Sequence, residues 1–455
     1  IRDSTITVPE TPIPAPLYDV RIIDTLGVDS AGATTVADVS FVSATAAGGS
    51  WTLINTGTAA EPILEDLGSG IDIPAGGQAI ITMTVRLDNT ATNQAGLQFY
   101  NTATYTYNRT NNVASPVNTI DVTTATATTV FEPGIATITK VADNTTPTAG
   151  DTVHYTITMQ AQTGANVSDV FDVILVDTLD LGLAYVANSA TVSTGLGVGS
   201  NNTITSTDVI GDGVNTPQQI IWGDANVDID IQAGDTITFE YDVLVLDEVL
   251  ANQVLNNSVV AGWTSIDGPA IGERDGSDGI GGLNDYITPP AIETLTTPPI
   301  NSTIDKVRSF DSFNIADDDV RIGDTVEYTL TMPVTEGTLG NLQIIDTLPQ
   351  GLDFESIVSI NGNVGPAPYT AVSPFTHADI AAGNIVEAGD PATGSTTVTW
   401  DLGNVTNQPN DGQPDDFIII YRARVLNNVF AHNNLTVALN NTVHMSYDTA
   451  TGTIN

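Results

Sequence analysis

T-V-H-Y-T-I-T-M, residues 152–159, places Val153, Tyr155, Ile157 and Met159 on one face and Thr152, His154, Thr156 and Thr158 on the other. A period of two is that of a strand buried on one side only. T-V-E-Y-T-L-T-M at 325–332 repeats it, with Val326, Tyr328, Leu330 and Met332 opposite Thr325, Glu327, Thr329 and Thr331. Each stretch is preceded by Gly-Asp and follows a short strand-like run, I-T-K-V at 138–141 and I-D-K-V at 304–307. Those runs hold the only two lysines of the chain, Lys140 and Lys306. Many short alternating segments separated by Gly and Pro predict an all-β fold, tandem Ig-like antiparallel β-sandwich domains in an elongated rod.

Working outward, three D-T-L motifs appear, at Asp24, Asp177 and Asp346. A tryptophan follows each (Trp51, Trp222, Trp400), and later a strand with N-T or N-S at Asn101, Asn257 and Asn441. Order and content recur, so the chain reads as three homologous units, 1–130, 131–297 and 298–455. The boundaries fall in the Thr- and Pro-bearing stretches before Gly134 and up to Pro299, expected to be extended linkers.

Composition narrows the function. With 455 residues, the chain exceeds one ordinary core. A net charge of −43 argues against binding a phosphate backbone, so no nucleic acid is expected. Such a charge suits a saline exterior, where it is screened. Without cysteine there are no disulfides, zinc thiolates or thiol catalysis. No apolar run is long enough to span a bilayer, and the chain opens at Ile1 with no signal-like segment. The expectation is a processed or excerpted part of a secreted protein.

Strand phase identifies polar residues aimed inward. Asp346 travels with Leu342, Ile344 and Leu348, Asp177 with Val173, Leu175 and Leu179, and Asp24 with Val20, Ile22 and Leu26. Asn441 shares phase with Leu439 and Val443, Asn257 with Leu255 and Val259, and Asn101 with Phe99 and Ala103. Lys140 shares phase with Ile138 and Lys306 with Ile304, although Val141 and Val307 then face the other way. Buried charges are costly alone, so Lys, Asp and Asn are expected to meet. Burial drives both lysine and aspartate toward their neutral forms. A neutral amine against an asparagine amide can form an isopeptide and release ammonia; the other outcome is a hydrogen-bonded Lys–Asp–Asn cluster.

The K…G-D-T-V-x-Y-T…D-T-L…N-T pattern resembles the conserved surface-repeat domains of bacteria and archaea, and the related fimbrial isopeptide-forming domains of pilins and adhesins. The likeness covers nearly all of the second and third units, and the first from Leu17 onward. It implies bonds from Lys140 to Asn257 with Asp177 as proton shuttle, and from Lys306 to Asn441 with Asp346. The Gly-rich segment 272–286 resembles an insertion common in giant proteins of that group.

The first unit has Asp24 and Asn101 but no lysine strand and no G-D-T-V strand. Either the chain is cut from a longer repeat protein, or another strand completes the unit by β-augmentation. S-T-I-T-V at 4–8 is strand-like, and the P-E-T-P-I-P-A-P that follows would make it an arm for its own unit or a neighbour's. Acidic loops offer oxygens for structural Ca²⁺ at Asp275, Asp278, Asn284 and Asp285, at Asp317, Asp318 and Asp319, and at Asp411, Asp415 and Asp416. No cofactor is required. The four histidines show no ligand spacing, and no catalytic motif is present.

The expected role is therefore an extracellular, cell-surface structural protein. It would self-assemble with other copies into a filament, pilus-like fibre, sheath or surface layer, or else serve as the stalk of a large adhesin that meets a host or cell-surface ligand. It is not expected to be an enzyme beyond a single autocatalytic turnover.

Overall fold

A computed structural model describes residues 2–67, 70–111, 118–122, 127–194, 202–203, 208–223, 229–299, 303–312, 319–409, 414–427 and 439–454. Among them the regular structure is antiparallel β-sheet, with one 3-10 turn at Ala382–Asn384. Three hydrophobic clusters form. One runs from Ile6 to Val130, one from Ala149 to Leu295, and one from Val326 to Tyr447 with Ala251 added.

The middle unit shows the plan. One sheet orders Ile135–Ala142, Thr152–Ala161, Thr236–Val245, Thr191–Thr194 and Asn202–Thr203 side by side. The facing sheet orders Asp208–Ile210, Gln218–Trp222, Phe171–Leu179, Val254–Thr264 and Ala291–Thr296. The alternation at 152–159 directs Val153, Tyr155, Ile157 and Met159 into the space between the sheets, where each is fully buried against Trp222, Phe239 and Tyr241. The last unit repeats this order with Asp305–Asp311, Thr325–Val334, Asp415–Val425 and Leu352–Ile360 facing Thr396–Asn407, Gly337–Leu348 and Thr442–Thr449. The first unit is thinner on one side. Arg2–Val8, Ala79–Leu87 and Val39–Ala47 form three strands opposite a seven-stranded sheet centred on Leu17–Val28 and Gln98–Asn108.

Two expectations change. The stretches read as linkers carry strands: Ala291–Thr296 pairs with Val254–Val259, and Thr128–Thr129 with Gln98–Phe99. Trp51 is not the counterpart of the other two tryptophans. Trp222 pairs with Leu175 and Trp400 with Ile344, each two residues before the aspartate, but the same place beside Ile22 is held by Leu64. Trp51 lies half-buried ahead of a short edge strand.

The units touch through specific groups. Arg274, in the Gly-rich insertion, donates from Nε to Asn89 Oδ1 (3.1 Å) and from Nη1 to Glu132 Oε1 (2.7 Å). Its Nη2 reaches the backbone oxygens of Thr90 (3.0 Å) and Asn93 (2.8 Å). At the other junction Thr338 donates its N–H to Val249 O and its hydroxyl to Asp247 O, both at 2.9 Å.

Candidate functional site

The lysine strand Ile135–Ala142 lies at the edge of its sheet with Lys140 opposite Ile157. Val141, facing the other way, is 54 % exposed, and Val307 in the last unit 55 %. The inward direction therefore belongs to lysine, and an apolar neighbour on the solvent face is what makes that direction hard to read from phase alone. Asp177 rises from the facing sheet, and Asn257 from the adjacent strand, where it pairs with Leu179. All three side chains are buried.

Lys140 Nζ donates to Asp177 Oδ2 and to the amide oxygen of Asn257. Tyr241 closes a ring: its hydroxyl donates to Asp177 Oδ2 at 2.6 Å and accepts from Asn257 Nδ2 at 2.8 Å. The ammonium carbon chain passes two stacked tyrosines, with Nζ 5.1 Å from the Tyr155 ring centre and 5.4 Å from that of Tyr241. Burial pulls the lysine down to about 8, with Asp177 opposing the shift. Burial likewise pushes the Asp177 carboxyl up against the pull of Lys140. Water is excluded and both partners are moved toward neutrality, the state in which an amine is a nucleophile and a carboxyl can pass a proton.

The last unit holds the same four groups more loosely. Lys306 Nζ lies 2.5 Å from Asp346 Oδ2, Tyr421 donates to that oxygen at 2.8 Å, and Asn441 Nδ2 donates to the Tyr421 hydroxyl at 2.8 Å. The Asn441 amide oxygen is buried with no hydrogen-bond partner, and the Lys306 side chain is 10 % exposed. Burial again lowers the lysine, to about 8, and raises Asp346. Tyr328 and Tyr421 stack as Tyr155 and Tyr241 do. The tyrosines are the members that phase reasoning left out of the site. Their signal was present, since Tyr155 and Tyr328 occupy one place in the repeated strand and Tyr241 and Tyr421 pair directly with them.

In the first unit Asp24 is 1 % exposed and neither carboxylate oxygen has a hydrogen-bond partner. Burial pushes it up to about 7. Asn101, half-buried, accepts from Gly27 N–H at 3.3 Å. Arg2–Val8 pairs antiparallel with Ala79–Leu87 and so takes the place that Thr152–Ala161 takes beside Thr236–Val245. Aligning A-G-G-Q-A at 75–79 with A-G-D-T-I at 233–237 puts Met83 where Tyr241 stands and its partner Ser4 where Tyr155 stands.

No protein-family model and no curated protein matches the chain. Solved structures that it resembles include BcpA, the major pilin subunit of Bacillus cereus, at 13% identity over 88% of this chain and 95% of that one, TM-score 0.26. Another is the C-terminal domain of the Streptococcus agalactiae AgI/II polypeptide BspA, at 13% identity over 70% of this chain and 97% of that one, TM-score 0.25. A third is the T6 backbone pilin of serotype M6 Streptococcus pyogenes, at 12% identity over 99% of this chain and 80% of that one, TM-score 0.23. Values this low put no residue of this chain in register with theirs.

The acidic loops turn inward on themselves. Asp275 accepts from Ser277 N–H at 3.0 Å, Asp278 from Asn284 N–H at 3.0 and 3.1 Å, and Asn284 Oδ1 from Asn89 at 2.5 Å. Among the described residues, Asp285, Asp319, Asp415 and Asp416 included, no group of three or more acidic or histidine side chains is placed so that it could hold a metal ion. Asp317, Asp318 and Asp411 lie outside the described residues.

Proposed function

We propose that the chain is a shaft segment of an extracellular surface fibre or stalk, a row of β-sandwich units in which the second and third are each closed by one internal isopeptide. The observation that carries the reading is the contact of Lys140 Nζ with both Asp177 and the Asn257 amide oxygen in a fully buried pocket. The neutral amine attacks Cγ of Asn257, Asp177 takes the proton from Nζ and delivers it to Nδ2, the Cγ–Nδ2 bond breaks and ammonia leaves. One C–N bond replaces another, so no oxidant, metal or cofactor is consumed. Fixed proximity in a dry site supplies most of the acceleration. Lys306, Asp346 and Asn441 would react in the same way.

A chain without disulfides gains from such a staple where pulling force or proteases act. In Ile135–Ala142 and Val254–Thr264 the bond would tie an edge strand to a strand of the facing sheet, so the sandwich could not be peeled open from that edge. The hydrogen-bonded junctions at Arg274 and Thr338 favour a stiff shaft over loosely strung units. Joining of copies by donation of Arg2–Val8 would require that strand to leave its own unit, where Ile6 and Val8 are buried.

Intact-mass measurement tests the chemistry. Loss of one ammonia for each of the two lysine-bearing units is expected, with peptide maps placing the bonds at Lys140–Asn257 and Lys306–Asn441. The unmodified mass would sink the cross-link. Small-angle scattering tests the shaft separately: a compact particle in place of an elongated one would sink that part.

A further inference from the structure

The first unit holds a buried acid that lacks the amine its counterparts in the other two units have. In the second and third units the strand beyond the tyrosine strand brings a lysine to the aspartate. In the first unit Arg2–Val8 stands in the tyrosine strand's place, and among the described residues it pairs only with Ala79–Leu87. Among the described residues no strand pairs with its outer backbone edge, while Asp24 inside has two oxygens without partners. We propose that the free edge of Arg2–Val8 is a docking site for a lysine-bearing β-strand of another polypeptide, whose amine enters the unit opposite Ile6 and pairs with Asp24.

The occupant's chemistry follows from the molecule's own examples. Lys140 lies opposite Ile157, which pairs with Phe239; the equivalents in the first unit are Ile6 and Ile81. An incoming I-x-K strand in the same register would place its amine over the same corner. Ser4 and Met83 stand where the two tyrosines stand, a small and a flexible side chain that can give way to an incoming amine. The amine has to come from outside these 455 residues, because both lysines already sit in their own units. A net charge of −43 favours a basic partner. Backbone pairing at an open edge supplies affinity, and the buried acid supplies selection for lysine. Met83 offers no hydroxyl to orient Asn101, which is turned to Gly27 N–H, so the pair formed here is an ion pair and not a cross-link.

The site is separate from the two internal corners and stands whether or not those corners react. The test adds a synthetic peptide of residues 135–142, I-A-T-I-T-K-V-A, to the full chain and reads binding by fluorescence anisotropy and amide exchange. The lysine peptide should bind at least about tenfold more tightly than its Lys140→Leu version, as a charged hydrogen bond to a buried acid requires. It should also slow exchange in Arg2–Val8. Asp24→Asn should remove the preference. Equal binding of the two peptides, a preference that survives Asp24→Asn, or no slowing in Arg2–Val8 of the unaltered chain would each overturn the proposal. The exchange readout decides the matter even if Asp24→Asn fails to fold, and it separates docking here from displacement of Ile135–Ala142.

Discussion

Asp24 and Asp177 occupy the same place in the same strand, each buried, yet they are stabilised by opposite means. Asp177 is met by an amine, a phenol and, through them, an amide. Asp24 meets none of these and is driven toward its protonated form by burial alone. An interior position can thus keep a carboxyl either by supplying it with partners or by burial alone, and the two solutions respond differently to substitution. The third unit lies between them. Its lysine and aspartate are paired, but its asparagine is held through the phenol, with the amide oxygen left over.

The largest effect is expected where pairing is complete. Asp177→Ala would leave Lys140 buried without its partner, and breaking a buried pair on one side costs about 3–5 kcal/mol. It would also remove the proton carrier. The second unit should unfold at lower temperature, be cut by protease between the lysine strand and its neighbour, and retain its ammonia on mass measurement. Replacing Lys140 by Met as well should recover much of the stability but no cross-link. If Asp177→Ala melts and digests like the unaltered chain, the pairing has no structural weight and the contrast with Asp24 fails.

Asp24 should respond to pH. Its folded value is near 7 against 3.8 for a free side chain, so the folded first unit holds a proton that the unfolded chain has released. Stability is then complete below about pH 4 and declines as pH rises to 7, by about 4 kcal/mol across the window. Thermal unfolding at pH 5 and pH 8, followed by exchange in Ile22 and Ile81, should show the first unit weakening. Asp24→Asn should flatten the dependence and raise the midpoint at pH 8. A first unit that gains stability with pH would contradict the absence of a partner for Asp24.

Much of this contrast was legible in the sequence. The two-residue period is set by backbone geometry, so the inward aspartates could be assigned from Ile22, Leu175 and Ile344 alone. The lysines were harder, because Val141 and Val307 mimic a core face while standing in solvent. Partners contributed by strands distant in the chain were harder still. That Tyr241 bridges Asp177 and Asn257 depends on register between residues 64 and 16 positions apart, which no local pattern encodes. The same limit explains Trp51: motif order suggested equivalence with Trp222, whereas strand pairing gives that place to Leu64. The Gly-rich loop also anchors Arg274 on the first unit, a contact between segments about 180 residues apart that no local pattern encodes.

The tyrosines separate the second unit from the third. Tyr241→Phe removes one bond to Asp177 and one to Asn257, but Lys140 still holds the Asn257 oxygen. Tyr421→Phe releases Asn441 from the bond that positions it. Each loss should cost about 1–3 kcal/mol in an uncross-linked chain. The effect on bond formation should differ: after refolding, ammonia loss in the third unit should slow more than in the second. Equal slowing would mean that the phenol acts only as a buried donor and that the contact between Lys140 and Asn257 gives the second unit no advantage.

The smallest effect is expected on the opposite face of the lysine strands. Val141 and Val307 are more than half exposed beside buried lysines, and replacing either with Thr keeps the branched shape that suits a strand while adding a solvated hydroxyl. The change in stability should stay within about 0.5 kcal/mol, and intact mass should show the same ammonia loss. These two substitutions therefore test the direction of the lysines at little energetic cost. If Val141→Thr lowered the midpoint by several degrees, the valine would face the core and Lys140 the solvent, and the corner around Asp177 would have to be closed by another group. If stability held but light scattering fell with concentration, the exposed valine would instead be part of a contact between copies, placed on the edge strand that carries Lys140.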